Sequence, residues 1–322
     1  MTVDQQTMRK TIDVRAMLRH VERLSDPGFW RELVPGARVS DEPFGSFPTD
    51  RAPVTPAMIE AWRSQLGEDA YFQTAPLVAA DRRTEMLRCI DAVVAAGLPA
   101  TFALVYDVFF EVFADLHVML HGVLDPGYTI IPNFWLYYIE PSDDAHGFEP
   151  HRDGEYADTI ADDGLPTVLT VWVALSDATP LNSCMYVVPA GRDPGYASAI
   201  HSLHQDAAGI RLEDIRSLPA AAGTVTCWTQ YIYHWGSRSS HRASAPRVSY
   251  AFYCQRGDVE PVESVSIEVP SPLSFQARLA YACRGLHRYS YLALRDAAGA
   301  GPVLEFLTRN MAGPARPVPP GL

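Results

Sequence analysis

The hydrophobic pattern of the chain changes near residue 130, and this change limits the possible folds more than any other feature of the sequence. Beyond that point apolar side chains recur with a period close to two, which is typical of β-strands. Turn-forming Pro, Gly and Asp separate the apolar runs. The predicted strands are 134–139, 167–175, 184–188, 224–228 and 247–254. Short strands between such turns predict a β-sandwich or a jelly roll.

The residues before this point are predicted to be mainly helical. Thr55-Pro56 has the form of an N-cap followed by proline at the first helical position, so a helix is expected to begin there. Residues 26–54, which are rich in Pro, Gly and Asp, are predicted to form a loop. The predicted helices span 11–25, 55–66, 77–97 and 100–121, with a last one over 271–297.

These patterns predict a mainly β fold with flanking helices (α+β), built on a double-stranded β-helix, the cupin-like jelly roll. No convincing linker interrupts the chain, so one domain is expected. Its expected parts are a helical flank over 1–128 packed on the core, a jelly-roll core over 129–265, a C-terminal helix over 266–312 and a disordered tail over 313–322.

The composition excludes some classes of partner. The net charge is −12 and the pI is near 5.2, whereas binding to nucleic acid or to an anionic membrane needs a basic surface, so neither is expected. The five cysteines form no CxxC pair and are interpreted as free thiols. With no secretion signal and no transmembrane run, we expect a cytoplasmic protein with a small-molecule substrate, and the oligomeric state stays open.

Three residues in the strand-rich part form a candidate metal site. His151 and Asp153 are two positions apart in an extended segment, where residues i and i+2 point to the same side. His234 lies in a later segment that is also predicted to be a strand. Two imidazoles and one carboxylate can occupy one face of an octahedral metal ion and leave three positions open, as in non-haem Fe(II) oxygenases. The alternative is a hydrogen-bonded surface His-Asp pair with an unrelated strand histidine.

A candidate carboxylate receptor follows His234 along the chain. Arg247 and Ser249 share one face of an apolar strand, and a guanidinium fork with a hydroxyl is suited to bind a carboxylate. Arg242 is a second candidate, but it lies in a Ser-, Ala- and Pro-rich loop, whereas the flanks of Arg247 are strand-like. A metal triad followed by a carboxylate receptor one strand later is the order expected of a 2-oxoglutarate-dependent oxygenase.

The strand-rich part of the chain, from about residue 132 to 254, resembles the phytanoyl-CoA dioxygenase-like branch of the Fe(II)/2-oxoglutarate oxygenases. The motifs that carry this resemblance are Pro150–Asp153, Leu169–Ala178, Asn182–Pro189, Gly223–Val225, His234–Ser237 and Pro246–Ser249. The combination in this order is specific, although no single motif is. The resemblance implies that His151, Asp153 and His234 bind iron.

The resemblance also implies a cosubstrate site. Arg247, helped by Ser249, would hold the distal carboxylate of 2-oxoglutarate. Thr170 and Trp172 would line the pocket for the cosubstrate or the substrate. One motif departs from the family pattern, because the chain has Pro189-Ala190-Gly191-Arg192 where the family usually has Pro-Gly-Ser-His.

The implied function is oxidation of a small molecule with Fe(II), 2-oxoglutarate and O2, with release of succinate and CO2. Hydroxylation is expected, with desaturation and ring formation as open alternatives, because Asp153 supplies a carboxylate at the position that related halogenases leave without one. The chain has no obvious basic cluster for the phosphates of an acyl-CoA, so a substrate from bacterial secondary metabolism (natural product biosynthesis) is expected. The acidic loop 154–166 is either a solvated loop or a lid that favours a cationic substrate.

Two other classes of function are open at this point. A non-catalytic jelly-roll binding module would use a metal structurally, and inert zinc without 2-oxoglutarate binding would favour it. A zinc hydrolase would need a further carboxylate base near the metal and would work without O2. His117 and His121 have a spacing that can bind zinc, but no acidic residue stands between them as in HExxH, so a second metal site is not expected there.

Overall fold

The computed structural model describes most of the chain, and the described residues form two compact units. The first unit is drawn from residues 1–46, 84–111 and 270–322, and the second from 47–83 and 112–269. The second unit contains every described β-strand and all the candidate site residues. The described residues are 14–40, 54–124, 127–154, 159–161, 164–196, 209–262, 266–268, 273–288 and 299–311.

The β-structure of the second unit consists of two antiparallel sheets. The strands are β1 (Tyr71–Pro76), β2 (Thr129–Ile139), β3 (Val168–Ala174), β4 (Met185–Val188), β5 (Arg216–Leu218), β6 (Thr224–Thr229), β7 (Tyr233–Gly236), β8 (Arg247–Gln255) and β9 (Ile267–Glu268). The larger sheet has the order β1-β6-β3-β8-β2-β9, and the smaller sheet has the order β5-β4-β7. Antiparallel sheets with flanking helices confirm the predicted fold class.

Side chains on both faces of the larger sheet are buried, which explains why its strands are nearly continuous apolar runs. Helix α6 (Phe113–Leu124) covers one face, where the ring of Phe113 meets that of Phe252 edge to face at 5.1 Å. Side chains at alternating positions point to the other face. Because Ala174 pairs with Ser249 and Trp172 with Ala251 across β3 and β8, the candidate residues on these two strands share that second face.

Helix α3 (Pro56–Asp69) begins where Thr55-Pro56 predicts. The Thr55 hydroxyl accepts a hydrogen bond from the backbone N–H of Met58, and Pro56 is the first helical residue. The helix packs on β1, with the ring of Trp62 stacked 5.7 Å from that of Phe72. Neither β1 nor β5 was predicted, because both are short edge strands in which few residues are buried in alternation.

The described elements of the first unit are helical. They are α1 (Val14–His20), α2 (Pro27–Leu33), residues 84–95 of α4 (Ala80–Ala95), a 3-10 helix (Ala100–Val105), α5 (Val108–Glu111), α7 (Phe275–Arg288) and α8 (Gly301–Asn310). The buried guanidinium of Arg278 joins several of them, because it donates to the carbonyl oxygens of Val105 and Ser40 and pairs with Asp107 at 2.8 Å. No described helix combines the length and the apolar character that crossing a membrane requires.

Two predictions on the helices were wrong. Residues 100–121 do not form one helix, because Tyr106 has an extended backbone and the carboxylate of Asp107 is engaged by Arg278 and Ser40. Residues 26–54 are not all loop, because Asp26 caps α2 by accepting from the N–H of Gly28. The predicted last helix is described only to Arg288, with α8 as a separate helix, and the predicted disordered tail lies outside the described residues.

Candidate metal centre

The three predicted metal ligands lie together at the junction of two antiparallel segments. His151 and His234 exchange backbone hydrogen bonds of 3.0 Å in both directions, so their side chains project to the same side. The backbone N–H of Asp153 donates to the carbonyl of Gln230 at 2.8 Å and extends this pairing. One ligand atom from each of the three residues lies within 4.8 Å of the others.

Backbone carbonyls set the orientation of both imidazoles. Nδ1 of His151 lies 2.6 Å from the carbonyl oxygen of Glu149, and Nδ1 of His234 lies 3.1 Å from that of Ile232. Because a carbonyl oxygen can only accept, Nδ1 carries a proton in each ring, and Nε2 is the atom that the neutral ring offers to a metal ion. Nε2 of His151 lies 3.3 Å from Oδ1 of Asp153, and Nε2 of His234 lies 3.7 Å from Oδ2. Both Nε2 atoms therefore face the carboxylate.

Two neighbouring side chains orient the carboxylate of Asp153. The hydroxyl of Thr170 donates to Oδ2 at 2.9 Å, and the indole N–H of Trp228 donates to the same oxygen at 3.2 Å. Thr170 and Trp228 are direct partners across β3 and β6. Trp228 was missed in the sequence, because its role depends on the register between these two strands, which the sequence does not display.

The electrostatics of the three ligands suit a cation. Burial lowers the pKa of His234 to about 4, so this imidazole is neutral at pH 7. For Asp153, burial opposes ionisation, but the two imidazoles and the Thr170 hydrogen bond outweigh it and hold the pKa well below its usual range. For His151, burial is outweighed by the hydrogen bond to Asp153, which raises the pKa. The centre thus holds an ionised carboxylate among imidazoles that a metal ion can bind in their neutral form.

This donor set fits an iron ion. Two imidazole nitrogens and one carboxylate oxygen are the ligands of the facial triad, and the three converge here with their other atoms already hydrogen-bonded to the protein. In the part of the chain that the structure describes, they are the one cluster of His, Cys, Asp and Glu that could hold a metal. His117 instead bonds to the hydroxyl of Tyr128 at 3.1 Å.

Arg247 is buried on the same face of the larger sheet. Its Nε donates to the carbonyl oxygen of Ser183 at 3.0 Å, Nη1 to the hydroxyl of Ser249 at 2.6 Å, and Nη2 to the hydroxyl of Ser183 at 3.3 Å. Its guanidinium carbon lies 5.3 Å from the ring centre of Tyr137 and 5.7 Å from that of Trp172. Burial lowers the pKa of Arg247 to about 10, which still leaves it charged at pH 7.

The charge of Arg247 has no carboxylate partner among the described residues. The other four buried arginines, Arg82, Arg152, Arg256 and Arg278, each pair with an aspartate. The buried indole N–H of Trp172, next to Arg247, likewise has no hydrogen-bond partner. Arg242, the second candidate for the receptor, is exposed. Arg247 is therefore suited to pair with an anion.

Two glycines allow the backbone to approach Arg247 closely. A Cβ at Gly147 would lie 2.6 Å from the Cα of Gly236 and 3.1 Å from Nη2 of Arg247. Ser183, which binds the guanidinium twice, has a positive φ of 73°. The acidic loop 154–166 that follows the metal ligands has all four of its acidic residues, at 155, 158, 162 and 163, outside the described residues.

The chain was compared with known proteins. The family model described as phytanoyl-CoA dioxygenase (PhyH) matches residues 49–245, which is more than half of the chain and includes all three proposed metal ligands. No curated protein matches the sequence.

Several solved structures are similar. The nickel complex of the non-haem monooxygenase ThoJ is 16% identical over 72% of this chain and 98% of its own, with a TM-score of 0.51. The epimerase SnoN with Fe3+, α-ketoglutarate and nogalamycin RO is 17% identical over 68% and 97%, with a TM-score of 0.49. EctD from S. alaskensis with 2-oxoglutarate and 5-hydroxyectoine is 16% identical over 70% and 84%, with a TM-score of 0.48.

At these identities, the likeness to ThoJ supports the fold alone. The family match is independent of it and covers the β-strands that carry the candidate metal centre. Arg247 and Ser249 lie just beyond the matched residues. On the extent of that match, the chain belongs to the phytanoyl-CoA dioxygenase family.

Proposed function

We propose that this protein is an Fe(II)- and 2-oxoglutarate-dependent dioxygenase that hydroxylates a small molecule. His151, Asp153 and His234 would hold the iron. Membership of the family supports an oxygenase-type reaction, and the convergent donor atoms of the three residues support the site. A carboxylate at Asp153, rather than a residue without one, favours hydroxylation.

The observation that carries the proposal is the buried Arg247 without a carboxylate partner among the described residues. An uncompensated buried guanidinium is costly, so a bound anion would complete this pocket. Ser183 and Ser249 accept one N–H from each guanidinium nitrogen, which leaves the second N–H of Nη1 and of Nη2 for the distal carboxylate of 2-oxoglutarate. The unpaired N–H of Trp172 is a further donor beside it.

The roles of the side chains follow from this placement. When bound, iron and 2-oxoglutarate together supply the O2 activation and oxidation that the side chains of the protein cannot perform, with release of succinate and CO2. The carbonyls of Glu149 and Ile232 keep the proton on Nδ1 of the two histidines, so that Nε2 stays available as a ligand. Thr170 and Trp228 hold Oδ2 of Asp153, while Oδ1 faces Nε2 of His151.

The substrate that we propose is a small molecule of bacterial secondary metabolism. Aromatic side chains on the site face of β2 support an apolar or ring-bearing substrate, because Trp135 and Tyr137 pair in register with Ala251 and Ser249 and so lie on the face of Arg247. Their rings are 6.0 Å apart. The site face of the larger sheet thus offers an apolar wall next to the proposed cosubstrate pocket.

The proposal is tested by anaerobic titration of metal-free protein with Fe(II) and then 2-oxoglutarate, following the visible metal-to-ligand charge-transfer band. The wild type should develop the band, and His151→Ala should abolish it. Arg247→Met should weaken 2-oxoglutarate binding by about 2–5 kcal/mol, because it removes one partner of a buried charge pair. Arg256→Met is the matched control, since Arg256 is buried near the end of the same strand but pairs with Asp258.

A folded wild type without the band would overturn the proposal. Retention of zinc without binding of 2-oxoglutarate would point instead to a binding module that uses its metal structurally. If the band forms as expected, candidate substrates can be screened by the release of succinate.

A further inference from the structure

Arg152 lies between two of the proposed iron ligands and points away from them. In an extended segment, consecutive side chains alternate sides, so His151 and Asp153 face the centre while Arg152 enters the protein behind it. Its side chain is buried, and its guanidinium carbon lies 4.7 Å from the ring centre of Tyr231 and 5.3 Å from that of Tyr233. A charged residue at this depth requires a partner.

The partner is Asp193, which is also buried. Nη1 of Arg152 donates to Oδ2 of Asp193 at 2.7 Å and to the carbonyl oxygen of Tyr231 at 2.8 Å. Nε and Nη2 of Arg152 have no hydrogen-bond partner, so Nη1 makes the hydrogen bonds that hold this side chain. This one nitrogen thereby links the ligand segment (residues 151–153) to the turn before His234 and to the turn after β4.

Asp193 lies in the turn that follows β4. Asp193 directly follows Pro189-Ala190-Gly191-Arg192, and its Oδ1 accepts from the N–H of Gly195 at 2.9 Å. The hydroxyl of Tyr231 donates to the carbonyl oxygen of Gly195 at 3.2 Å, and the ring of Tyr196 meets that of Tyr231 edge to face at 5.4 Å. This turn therefore packs directly on the segment that leads to His234.

We infer that the Arg152–Asp193 ion pair positions the iron ligands, and that the turn after β4 supplies the carboxylate for this purpose. Backbone hydrogen bonds at His151 and Asp153 pair the ligand segment with residues 230–234 on either side of Arg152. The Arg152 side chain fixes the same two segments at their midpoint through Tyr231. Arg152 and Asp193 are positioning residues in this inference, which rests on the proposed function because the ligands it concerns are those of the proposed iron site.

The test separates positioning from stability by removing one charge and then both. Asp193→Asn leaves Arg152 buried without its counter-charge and should lower the midpoint of thermal unfolding. Arg152→Met with Asp193→Asn removes both charges, keeps apolar contact with the tyrosines and lets residue 193 still accept from Gly195. Replacing both partners of a buried pair restores stability in other proteins, so the double variant should regain most of the unfolding midpoint.

Fe(II) affinity should behave differently from stability. We expect the dissociation constant for Fe(II), measured anaerobically with the charge-transfer band of the 2-oxoglutarate complex, to rise roughly 10- to 100-fold in both variants. The matched control is Arg82→Met with Asp115→Asn, which removes another buried pair of the same unit, at 2.9 Å, that does not contact the ligands. Its Fe(II) affinity should equal that of the wild type.

Each outcome bears on one conclusion. A double variant with the Fe(II) affinity of the wild type would overturn the inference and leave the pair a structural contact. Should the double variant not fold, the Fe(II) affinity of Asp193→Asn is compared with that of the wild type, and equal affinities would likewise overturn the inference. A folded wild type that binds no Fe(II) would overturn the proposed function itself, and would be recognised before any variant is compared.

Discussion

Asp153 is held at one oxygen by two neutral donors, and this predicts how the centre responds to small changes. Trp228→Phe removes the indole N–H but keeps a ring, and Thr170→Val removes the hydroxyl but keeps the shape of the side chain. Each should weaken Fe(II) binding roughly 10- to 100-fold, because Oδ2 becomes free to rotate toward the metal. The measurement is the Fe(II) dissociation constant under anaerobic conditions.

The controls for this prediction are substitutions of the same types away from Asp153. Trp62→Phe alters a buried indole that stacks on Phe72, and Thr226→Val alters a hydroxyl that accepts from Gln73 on the neighbouring strand. Both should keep the Fe(II) affinity of the wild type. Equal affinity in Trp228→Phe and in the wild type would show that the indole does not orient the carboxylate.

The sequence makes His151 and Asp153 visible because their relation is local, two positions apart in an extended segment. The contacts that orient them are not local. Trp228 reaches Asp153 across 75 residues, and Asp193 reaches Arg152 across 41. Both depend on strand register and on the path of a turn, neither of which the hydrophobic period encodes. Arg247 was found from its strand-like flanks, but its isolation from carboxylates required the folded chain.

At the level of elements, the strands whose two faces are both buried were predicted, whereas the edge strands β1 and β5 were not. β3 and β8 carry long apolar runs with branched and aromatic residues, whereas β1 and β5 are exposed along part of their length. In residues 100–121 the apolar positions suggested one continuous helix. The extended backbone at Tyr106 breaks it, and the backbone N–H of Asp107 donates to the carbonyl oxygen of Arg38 instead of to a helical partner.

The close approach of β7 to the segment at Gly147 predicts a selective effect on the cosubstrate pocket. In Gly147→Ala, the new methyl group would meet the Cα of Gly236 and crowd Nη2 of Arg247. Overpacking of this kind costs about 1–3 kcal/mol. We expect 2-oxoglutarate binding to weaken more than Fe(II) binding, because the displaced group is the guanidinium and not a metal ligand.

Separate titrations with Fe(II) and with 2-oxoglutarate measure this difference. Gly191→Ala is the control, since a Cβ there meets no atom within 4 Å, and it should leave both affinities unchanged. If Gly147→Ala weakened Fe(II) binding as much as 2-oxoglutarate binding, the approach of the two segments would be a general packing contact and not a constraint on the pocket.

Among the described residues of the whole molecule, every buried arginine except Arg247 pairs with a carboxylate. The chain is acidic overall, and four of the five buried arginines pair with aspartates. Arg247 stands apart with hydroxyl and carbonyl partners alone. Because acidic residues outnumber basic ones, a shortage of carboxylates does not explain why Arg247 lacks one. The missing partner therefore supports a pocket that is completed by an anionic ligand.

Burial of all five cysteines predicts how stability and thiol reactivity depend on pH. Burial raises the pKa of Cys89 to about 12 and that of Cys184 to about 11, and it raises those of Cys227, Cys254 and Cys283 as well. Above a pH of about 9 the unfolded chain loses thiol protons that the native state retains. The free energy of unfolding should therefore fall as the pH rises from about 9 toward 11. Urea denaturation at a series of pH values measures this fall.

At pH 8 the native protein should not react with a disulfide reagent, whereas the urea-unfolded chain should show five reactive thiols. Fast reaction of any thiol in the native state would contradict the burial on which this prediction depends.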